Sequence, residues 1–304
     1  MTTPSSQTIR QVIHDGTEQL ARSGVDAPRL SAEVLVAHHL GLDRLAILID
    51  QERGLDRDQV EGIAGLLRRR AGGEPVAYIT GIREFYGLSF HVDPRVLIPR
   101  PETELIVEMV KDTFGPGRLT TLADVCTGSG VLGIALATQF PELCGVLTDV
   151  SCQALDLARI NAVRHGVDSR LACVCTDVMA GLRMESMDCI VANPPYIPGE
   201  VLDQISREVR CFEPAIALDG GPCGLKISTK LLHQASWVLK PGGWLFMEIE
   251  DGQFQPLLRE MQVSADVWQS VALTRDYQHL ERVVVAHKMC DSSTECGRSE
   301  TQQT

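Results

Sequence analysis

The chain has 304 residues, of which 44% are hydrophobic, and carries 28 Lys plus Arg against 40 Asp plus Glu, a formal net charge of −12. At about 100–200 residues per domain this length fits one large or two unequal domains, and the apolar share excludes a fibrous or disordered chain. The acidic balance argues against a broad basic face for nucleic acid and against attraction to anionic membranes. No run reaches the ~18–20 apolar residues of a membrane span, and Met1–Gln7 is polar, with no signal-peptide core. A soluble, cytoplasmic protein is expected. There are 10 cysteines and no C-x-x-C spacing, and Cys173-x-Cys175 does not suit zinc. The thiols are expected to be buried, reduced and mostly structural.

Residues 1–73 read as a small helical N-terminal domain. Apolar positions recur at helical spacing in Ile9, Val12, Ile13 and Leu20, and again in Leu30, Val34, Leu35 and Leu40. Gly24 and Gly41 mark stops, and the basic run Arg68-Arg69-Arg70 ends a third helix, where cations are favoured. Residues 74–100 read as a β-hairpin linker, from Tyr78-Ile79-Thr80-Gly81 through Glu84-Phe85-Tyr86-Gly87 to Phe90 and Val92. Pro94, Pro99 and Pro101 punctuate a loop before a helix at 102–113, which Gly115-Pro116-Gly117 ends.

From residue 119 strands alternate with helices. Strands are expected at 122–126, 143–148, 171–175, 188–192, 244–249, 267–273 and 282–287. Helices are expected at 131–138, 152–165 and 227–238. That alternation implies an α/β domain over 101–288, with a mostly parallel sheet covered on both faces. Residues 289–304 are polar and read as a disordered tail.

Three loops carry chemistry. Asp124-Val125-Cys126-Thr127-Gly128-Ser129-Gly130 follows a strand and opens a helix, so its backbone can approach a ligand and offer N–H groups. The next strand ends at Asp149, where an acid can accept ribose hydroxyls, and a third strand runs on to Asp177, near an adenine. The glycines read G-x-G and not G-x-G-x-x-G, which favours an adenosine ligand without a pyrophosphate. The sharpest feature is Asn193-Pro194-Pro195-Tyr196, directly after the strand Cys189-Ile190-Val191-Ala192. Two prolines fix φ and remove two donors, leaving carbonyl acceptors beside the Asn amide. That edge suits a planar –NH₂ group, on which an aromatic ring can pack.

With these motifs the sequence resembles the protein-(glutamine-N5) methyltransferases of peptide-chain release factors, the HemK/PrmC family, which use S-adenosylmethionine (SAM). The resemblance runs from about residue 27 to 287. It is carried by Glu74-Pro75-Val76-Ala77-Tyr78-Ile79-Thr80-Gly81, Leu97-Ile98-Pro99-Arg100-Pro101-Glu102-Thr103-Glu104, Thr127-Gly128-Ser129-Gly130, Asn193-Pro194-Pro195-Tyr196, and Phe212-Glu213-Pro214 followed by Ala217-Leu218-Asp219-Gly220-Gly221. The Pro-Arg-Pro-Glu-Thr-Glu stretch is the most family-specific. Asn-Pro-Pro-Tyr is shared with adenine-N6 DNA methyltransferases and defines chemistry better than substrate.

The resemblance implies a Rossmann-like, doubly wound, seven-stranded SAM-methyltransferase domain. It implies that Cys126, Thr127, Gly128, Ser129 and Gly130 cradle the methionyl part of SAM, that Asp149 holds the ribose and that Asp177 and Val178 flank the adenine. Asn193, counted among the SAM-binding residues too, and the Pro194 carbonyl would receive the two N–H groups of a glutamine side chain, with Pro195 and Tyr196 in the same catalytic motif. No metal is implied. The partner would be a release factor, docked partly by the helical N-terminal region, with no direct nucleic-acid or membrane binding; the oligomeric state is open. Three departures stand out: Cys126 replaces a usual Gly, Glu250 follows Glu248-Ile249 where Gly is frequent, and a usual glycine near Asp276 is missing from Asp276-Tyr277-Gln278-His279-Leu280. Alternative readings are a related enzyme acting on a small molecule in specialised metabolism, an adenine-N6 nucleic-acid methyltransferase, and a non-catalytic SAM-binding module.

Overall fold

Apolar residues at helical spacing set the N-terminal elements. The computed structural model describes residues 7–263 and 266–290. Helices α1 (Ile9–Arg22), α2 (Pro28–Leu40), α3 (Arg44–Ile49) and α4 (Arg57–Ala71) bury Ile9, Leu20, Leu35, Ile47 and Ile63 in one core. Thr8 with Gln11, and Asp56 with Gln59, form capping boxes that satisfy the first backbone donors of α1 and α4. Four helices stand where three are expected, because the Asp43 side chain accepts from the Ala46 N–H and caps an extra short helix, α3.

Residues 78–81 depart from the hairpin reading. They close a short helix, α5 (Val76–Thr80), in which Thr80 Oγ1 donates back to the Val76 carbonyl at 3.0 Å. Pro75 sits at its N-cap, where the missing N–H costs nothing. The hairpin itself is β1 (Ile82–Phe85) and β2 (Leu88–His91). Tyr86 and Gly87 turn it with φ of 52° and 71°, the two positive values that suit the strands' twist.

The remaining elements are α6 (Glu104–Phe114), β3 (Thr121–Val125), α7 (Val131–Gln139), β4 (Cys144–Asp149), α8 (Cys152–Arg164), β5 (Leu171–Cys175), β6 (Met187–Ala192), α9 (Arg207–Phe212), α10 (Lys226–Val238), β7 (Leu239–Glu248), α11 (Phe254–Gln262), β8 (Trp268–Arg275) and β9 (Glu281–Lys288). Seven strands form one sheet in the order β5-β4-β3-β6-β7-β9-β8. Pairs from β5 to β7 are parallel; β9 pairs antiparallel with both β7 and β8. One apolar layer, with Ile106, Ile134 and Leu155, covers one face; a second, with Leu231, Ala235 and Leu257, covers the other. Helices α9 and α11 go beyond the expected set. The first is only six residues long, and α11 carries Pro256 in its first turn, where proline is tolerated.

The chain divides into two compact units. One takes the chain up to Ile82 with Val92–Pro94 and Ser206–Glu213; the other takes Arg83–His91, Arg95–Ile205 and the chain from Pro214 on. The segment 74–100 is thus shared between them. In the first unit Arg70, 5% exposed, donates to Glu208 at 2.7 Å, which ties α9 to α4. No helix among the described residues is long and apolar enough to cross a membrane. From residue 291 the expected tail lies outside the described residues.

The cysteines depart from the reduced, buried reading. Cys152, which opens α8, and Cys175, which ends β5, form a disulfide with Cα atoms 5.5 Å apart. Cys144, Cys211, Cys223 and Cys290 are exposed, while Cys189 is buried in β6. Cys144 and Cys211 are exposed although they belong to β4 and α9, so an apolar run does not by itself cover a thiol.

Asn161 of α8 is fully buried and joins three backbone groups. Its Nδ2 donates to the carbonyls of His91 and Ser129 at 3.0 and 2.9 Å, and its Oδ1 accepts from the His91 N–H at 2.7 Å. It therefore fixes β2 and the loop after β3 to one helix. Asn161→Ala leaves these groups without partners and should lower unfolding free energy by about 2–4 kcal/mol. A urea titration checks this; a loss under half a kcal/mol on the same ~1 kcal/mol-per-bond scale would refute it.

Candidate active site

Strand register gathers the chemistry-bearing loops. Val125 pairs with Thr148 and with Ala192, and Ala192 pairs with Met247. The next residues, Cys126, Asp149, Asn193 and Glu248, therefore stand in one row at the carboxyl ends of β3, β4, β6 and β7. Strand order reverses at β3, which is where open α/β sheets bind ligands. A cavity of about 470 Å³ opens there.

Most of the expected site residues line this cavity. Cys126, Thr127, Gly128 and Ser129 come from the β3–α7 loop, Asp149 from β4, Asp177 and Val178 from the loop after β5, and Asn193 and Pro195 from the loop after β6. Three expected residues are not among the lining. Gly130 is the N-cap of α7 at φ 85°, Pro194 is buried, and Tyr196 directs its hydroxyl to Glu248. Glu250 is exposed and also outside the lining, so it adds no charge to the cavity wall.

The glycine loop owes its shape to left-handed backbone. Cys126, Gly128 and Gly130 have φ of 57°, 55° and 85°. Nothing lies within 4 Å of where a Cβ would stand on Gly128, so that position leaves open space against the cavity. A Cβ on Gly130 would meet Ile134 Cδ1 at 2.8 Å. Cys126 holds a conformation that costs a residue with a side chain roughly 1–2 kcal/mol, which explains why a glycine suits this position. Burial pushes its thiol up, so it stays protonated and is no nucleophile. Val178, β-branched, is left-handed too, at φ 60°.

Three carboxylates shape the electrostatics. Asp149 accepts from the Gly128 N–H at 3.0 Å through Oδ2 and from the Ser151 N–H at 2.8 Å through Oδ1. Burial raises its carboxyl above the usual range, against those bonds. Asp124, beneath the loop, accepts from Thr127 Oγ1 at 2.6 Å and from the Gly133 N–H at 2.8 Å. Burial still pushes it up to about 7. Asp177 stands exposed at the rim, paired with Lys230 of α10.

Glu248 is 1% exposed, inside an otherwise apolar strand end. Its Oε2 accepts from Thr103 Oγ1 at 2.6 Å and its Oε1 from the Tyr196 hydroxyl at 3.1 Å. Asn193 Nδ2 in turn donates to Thr103 Oγ1 at 3.1 Å. Neither Thr103 nor Glu248 is among the site residues expected from the sequence. The available signal was a carboxylate within the apolar run Leu245–Ile249, since such a group is rarely buried without partners.

The residues present fit an adenosine-bearing methyl donor. The open cradle at Gly128, the carboxylate at Asp149 and the apolar walls of Val150 and Val178 meet in one cavity with Asn193. Among the described residues no His, Cys, Asp and Glu cluster is placed to hold a metal ion.

Sheet order and site together define a methyltransferase. Residues 11–81 match the PrmC N-terminal domain and residues 101–210 the methyltransferase small domain. The release factor glutamine methyltransferase of Nitratidesulfovibrio vulgaris (strain Hildenborough) is 38% identical over 287 residues, 93% of this chain and 96% of its own length. That of Moorella thermoacetica is 38% identical over 281 residues, 92% and 99% of the two chains. In fold the chain resembles the hMettl16 catalytic domain in complex with MAT2A 3'UTR hairpin 6, with a TM-score of 0.56 and 19% identity over 71% of this chain and 81% of that one. This chain belongs to the release factor glutamine methyltransferase family.

Two tests follow from the loop. Gly130→Ala should destabilise by about 2 kcal/mol or more, from left-handed strain plus the Ile134 clash, whereas Cys126→Gly should fold with equal or up to ~1 kcal/mol greater stability. Equal urea midpoints for Gly130→Ala and wild type would overturn the assignment of strain. The second test concerns Asp124. Its folded-state carboxyl lies above the unfolded value of 3.8, so between about pH 4 and 7 the folded state binds more protons and stability falls as pH rises. Asp124→Asn should flatten that slope; an unchanged slope in denaturation at four pH values would mean Asp124 does not titrate there.

Proposed function

We infer that this chain transfers a methyl group from SAM to the side-chain amide nitrogen of the glutamine in the Gly-Gly-Gln loop of peptide-chain release factors. The observation that supports the reading is Asn193, which lines one cavity with Pro195 and the glycine loop, in a chain that shares 38% identity with the release factor glutamine methyltransferase of Nitratidesulfovibrio vulgaris over nearly its whole length.

When bound, SAM supplies an electrophilic sulfonium methyl. The chain's part is to hold and to orient. The loop Cys126–Gly130 and the α7 N-terminus would take the methionyl end, Asp149 the ribose hydroxyls, and Val178 and Asp177 the adenine side. A carboxamide nitrogen is a weak nucleophile because its lone pair is delocalised into its carbonyl. Asn193 Oδ1 and the Pro194 carbonyl would accept its two N–H groups, aim the nitrogen at the methyl and favour a pyramidal geometry. Tyr196 would flank the amide plane. Orientation and fixed dipoles can supply most of the acceleration. The product amide loses one proton as or after the N–C bond forms, so no strong base is required of the chain.

The substrate would be a folded release factor in the cytoplasm. Glu250, one of the departures behind the small-molecule reading, lies outside the cavity lining, and Cys126, which does line it, holds the left-handed backbone that a glycine would hold there. Purified protein with SAM should add a single methyl to that glutamine, located by fragment mass spectra; unmethylated release factors of both classes would sink the proposal. Asn193→Ala should abolish turnover while leaving SAM affinity within about tenfold, ~1.4 kcal/mol. An equal loss of SAM binding would show that Asn193 serves the donor instead.

A further inference from the structure

A neutral amide can face a ligand with either end. In Asn193 the choice is constrained from behind. Glu248 is buried and takes a hydrogen bond on each carboxylate oxygen, from Thr103 and from Tyr196. Thr103 is itself 2% exposed, has one hydroxyl hydrogen, and directs it to Glu248 at 2.6 Å. Thr103 Oγ1 can therefore meet Asn193 only as an acceptor, and it does so, with Nδ2 at 3.1 Å. Asn193 lines the cavity with one of its two amide hydrogens given to Thr103, which turns the nitrogen toward Thr103 and puts Oδ1 at the other end of the amide, able to accept from a ligand.

We propose that Thr103 and Glu248 are positioning residues that lock the orientation of the Asn193 amide, so that the site presents an acceptor to the substrate and selects an amide N–H₂ over a carboxylate. The inference rests on the proposed transfer to a side-chain amide. The polarity is set at the far end of the relay. A carboxylate only accepts, so the Thr103 hydroxyl and one Asn193 N–H point along the relay toward it. A carboxamide in place of Glu248 donates as well as accepts. Thr103 can then accept from it and donate to Asn193 Oδ1, and the Asn193 amide turns over to show N–H₂ to the cavity, where it matches a carboxylate or a carbonyl oxygen and no longer accepts from the nitrogen of a glutamine amide.

The experiment compares wild type with Glu248→Gln, Thr103→Val and Thr103→Ser. All differ by few atoms, and Thr103→Ser keeps the hydroxyl. Glu248→Gln and Thr103→Val should lower kcat on release factor by about thirtyfold or more, the scale of losing one fixed polar contact to the reacting group. Thr103→Ser should stay close to wild type. SAM affinity, read by calorimetry, should hold within about threefold in all, since a change of tenfold needs ~1.4 kcal/mol. A second readout needs neither donor nor substrate. The Asn193 side-chain NH₂ signals, identified by their loss in Asn193→Asp, should be protected from solvent exchange in wild type and Thr103→Ser and lose that protection in Thr103→Val and Glu248→Gln. Full kcat in Glu248→Gln, or the same exchange rate in all four proteins, overturns the proposal. A wild-type protein inactive on release factors overturns the function instead, and the exchange pattern still decides this one. If Glu248→Gln does not fold, the contrast between Thr103→Val and Thr103→Ser decides it.

Discussion

The parallel register of β4, β3, β6 and β7 is the constraint on which the site depends. Successive side chains of a strand point to opposite faces, so a slip of one residue exchanges every buried side chain for an outward one. In β3 the correct register sends Asp124 under the loop, where the Gly133 N–H and Thr127 hydroxyl meet it. The same register sets Asn193 beside Cys126 on one side and beside Glu248 on the other. Residues as far apart in sequence as Cys126 and Asn193 thus reach one cavity through backbone pairing. The apolar layers on both faces, around Ile134 and around Leu231, hold that register because any other would bury polar groups.

Two side-chain-bearing residues at the cavity, Cys126 and Val178, lie in left-handed backbone. Each carries a cost of order 1–2 kcal/mol that a glycine would avoid. Strain of this kind persists where the surroundings over-determine the chain, and such places cluster at ligand clamps. Here the loop after β3 is tied by Asp149 to Gly128, by Asn161 to Ser129 and by Asp124 to Thr127. Three ties across five residues leave Cys126 little freedom to relax. The departure at Asp276–Leu280 is a parallel case: His279 turns the β8–β9 connection at φ 64°, and the Asp276 carboxylate holds that turn through the N–H groups of Gln278 and Leu280. In both loops a neighbouring carboxylate holds the left-handed backbone through N–H groups.

Legibility in the sequence followed the strength of the local signal. Strand β5, Leu171–Cys175, and the strands carrying Asp149 and Asn193 are short apolar runs bounded by turn residues, and they lie where the pattern places them. Helix α5 was legible only as an extended run, because Tyr78, Ile79 and Thr80 favour strands by composition; the turn of helix is set by tertiary burial of Tyr78 and Ile79. The pairing of Cys152 with Cys175 had no sequence signal at all, since a spacing of 23 residues becomes proximity only once β4 and β5 lie side by side. Among the residues that line the cavity, those in contiguous loops were legible: Cys126–Ser129, and Asn193 with Pro195, each announce themselves within a few positions. Thr103 and Glu248 were not, because their relation to Asn193 spans 90 and 55 positions and exists only across the folded sheet end.

Burying a carboxylate is costly, and this fold does so twice beside one cavity. The two cases differ in what the charge can reach. Asp124 accepts both its donors from its own loop and helix start, so it fixes the backbone from which the cradle is made. Glu248 takes both its donors from hydroxyls on separate segments, before α6 and after β6, so it joins those segments to each other. A general base needs an oxygen open to the proton it removes. Both oxygens of Glu248 are engaged within the protein, and Thr103 stands between it and Asn193. The geometry therefore assigns this buried charge to orientation and not to proton removal. That is the demand set by a nucleophile whose nitrogen sheds its proton readily once the new bond weakens its hold, but which reacts only when its N–H groups are fixed.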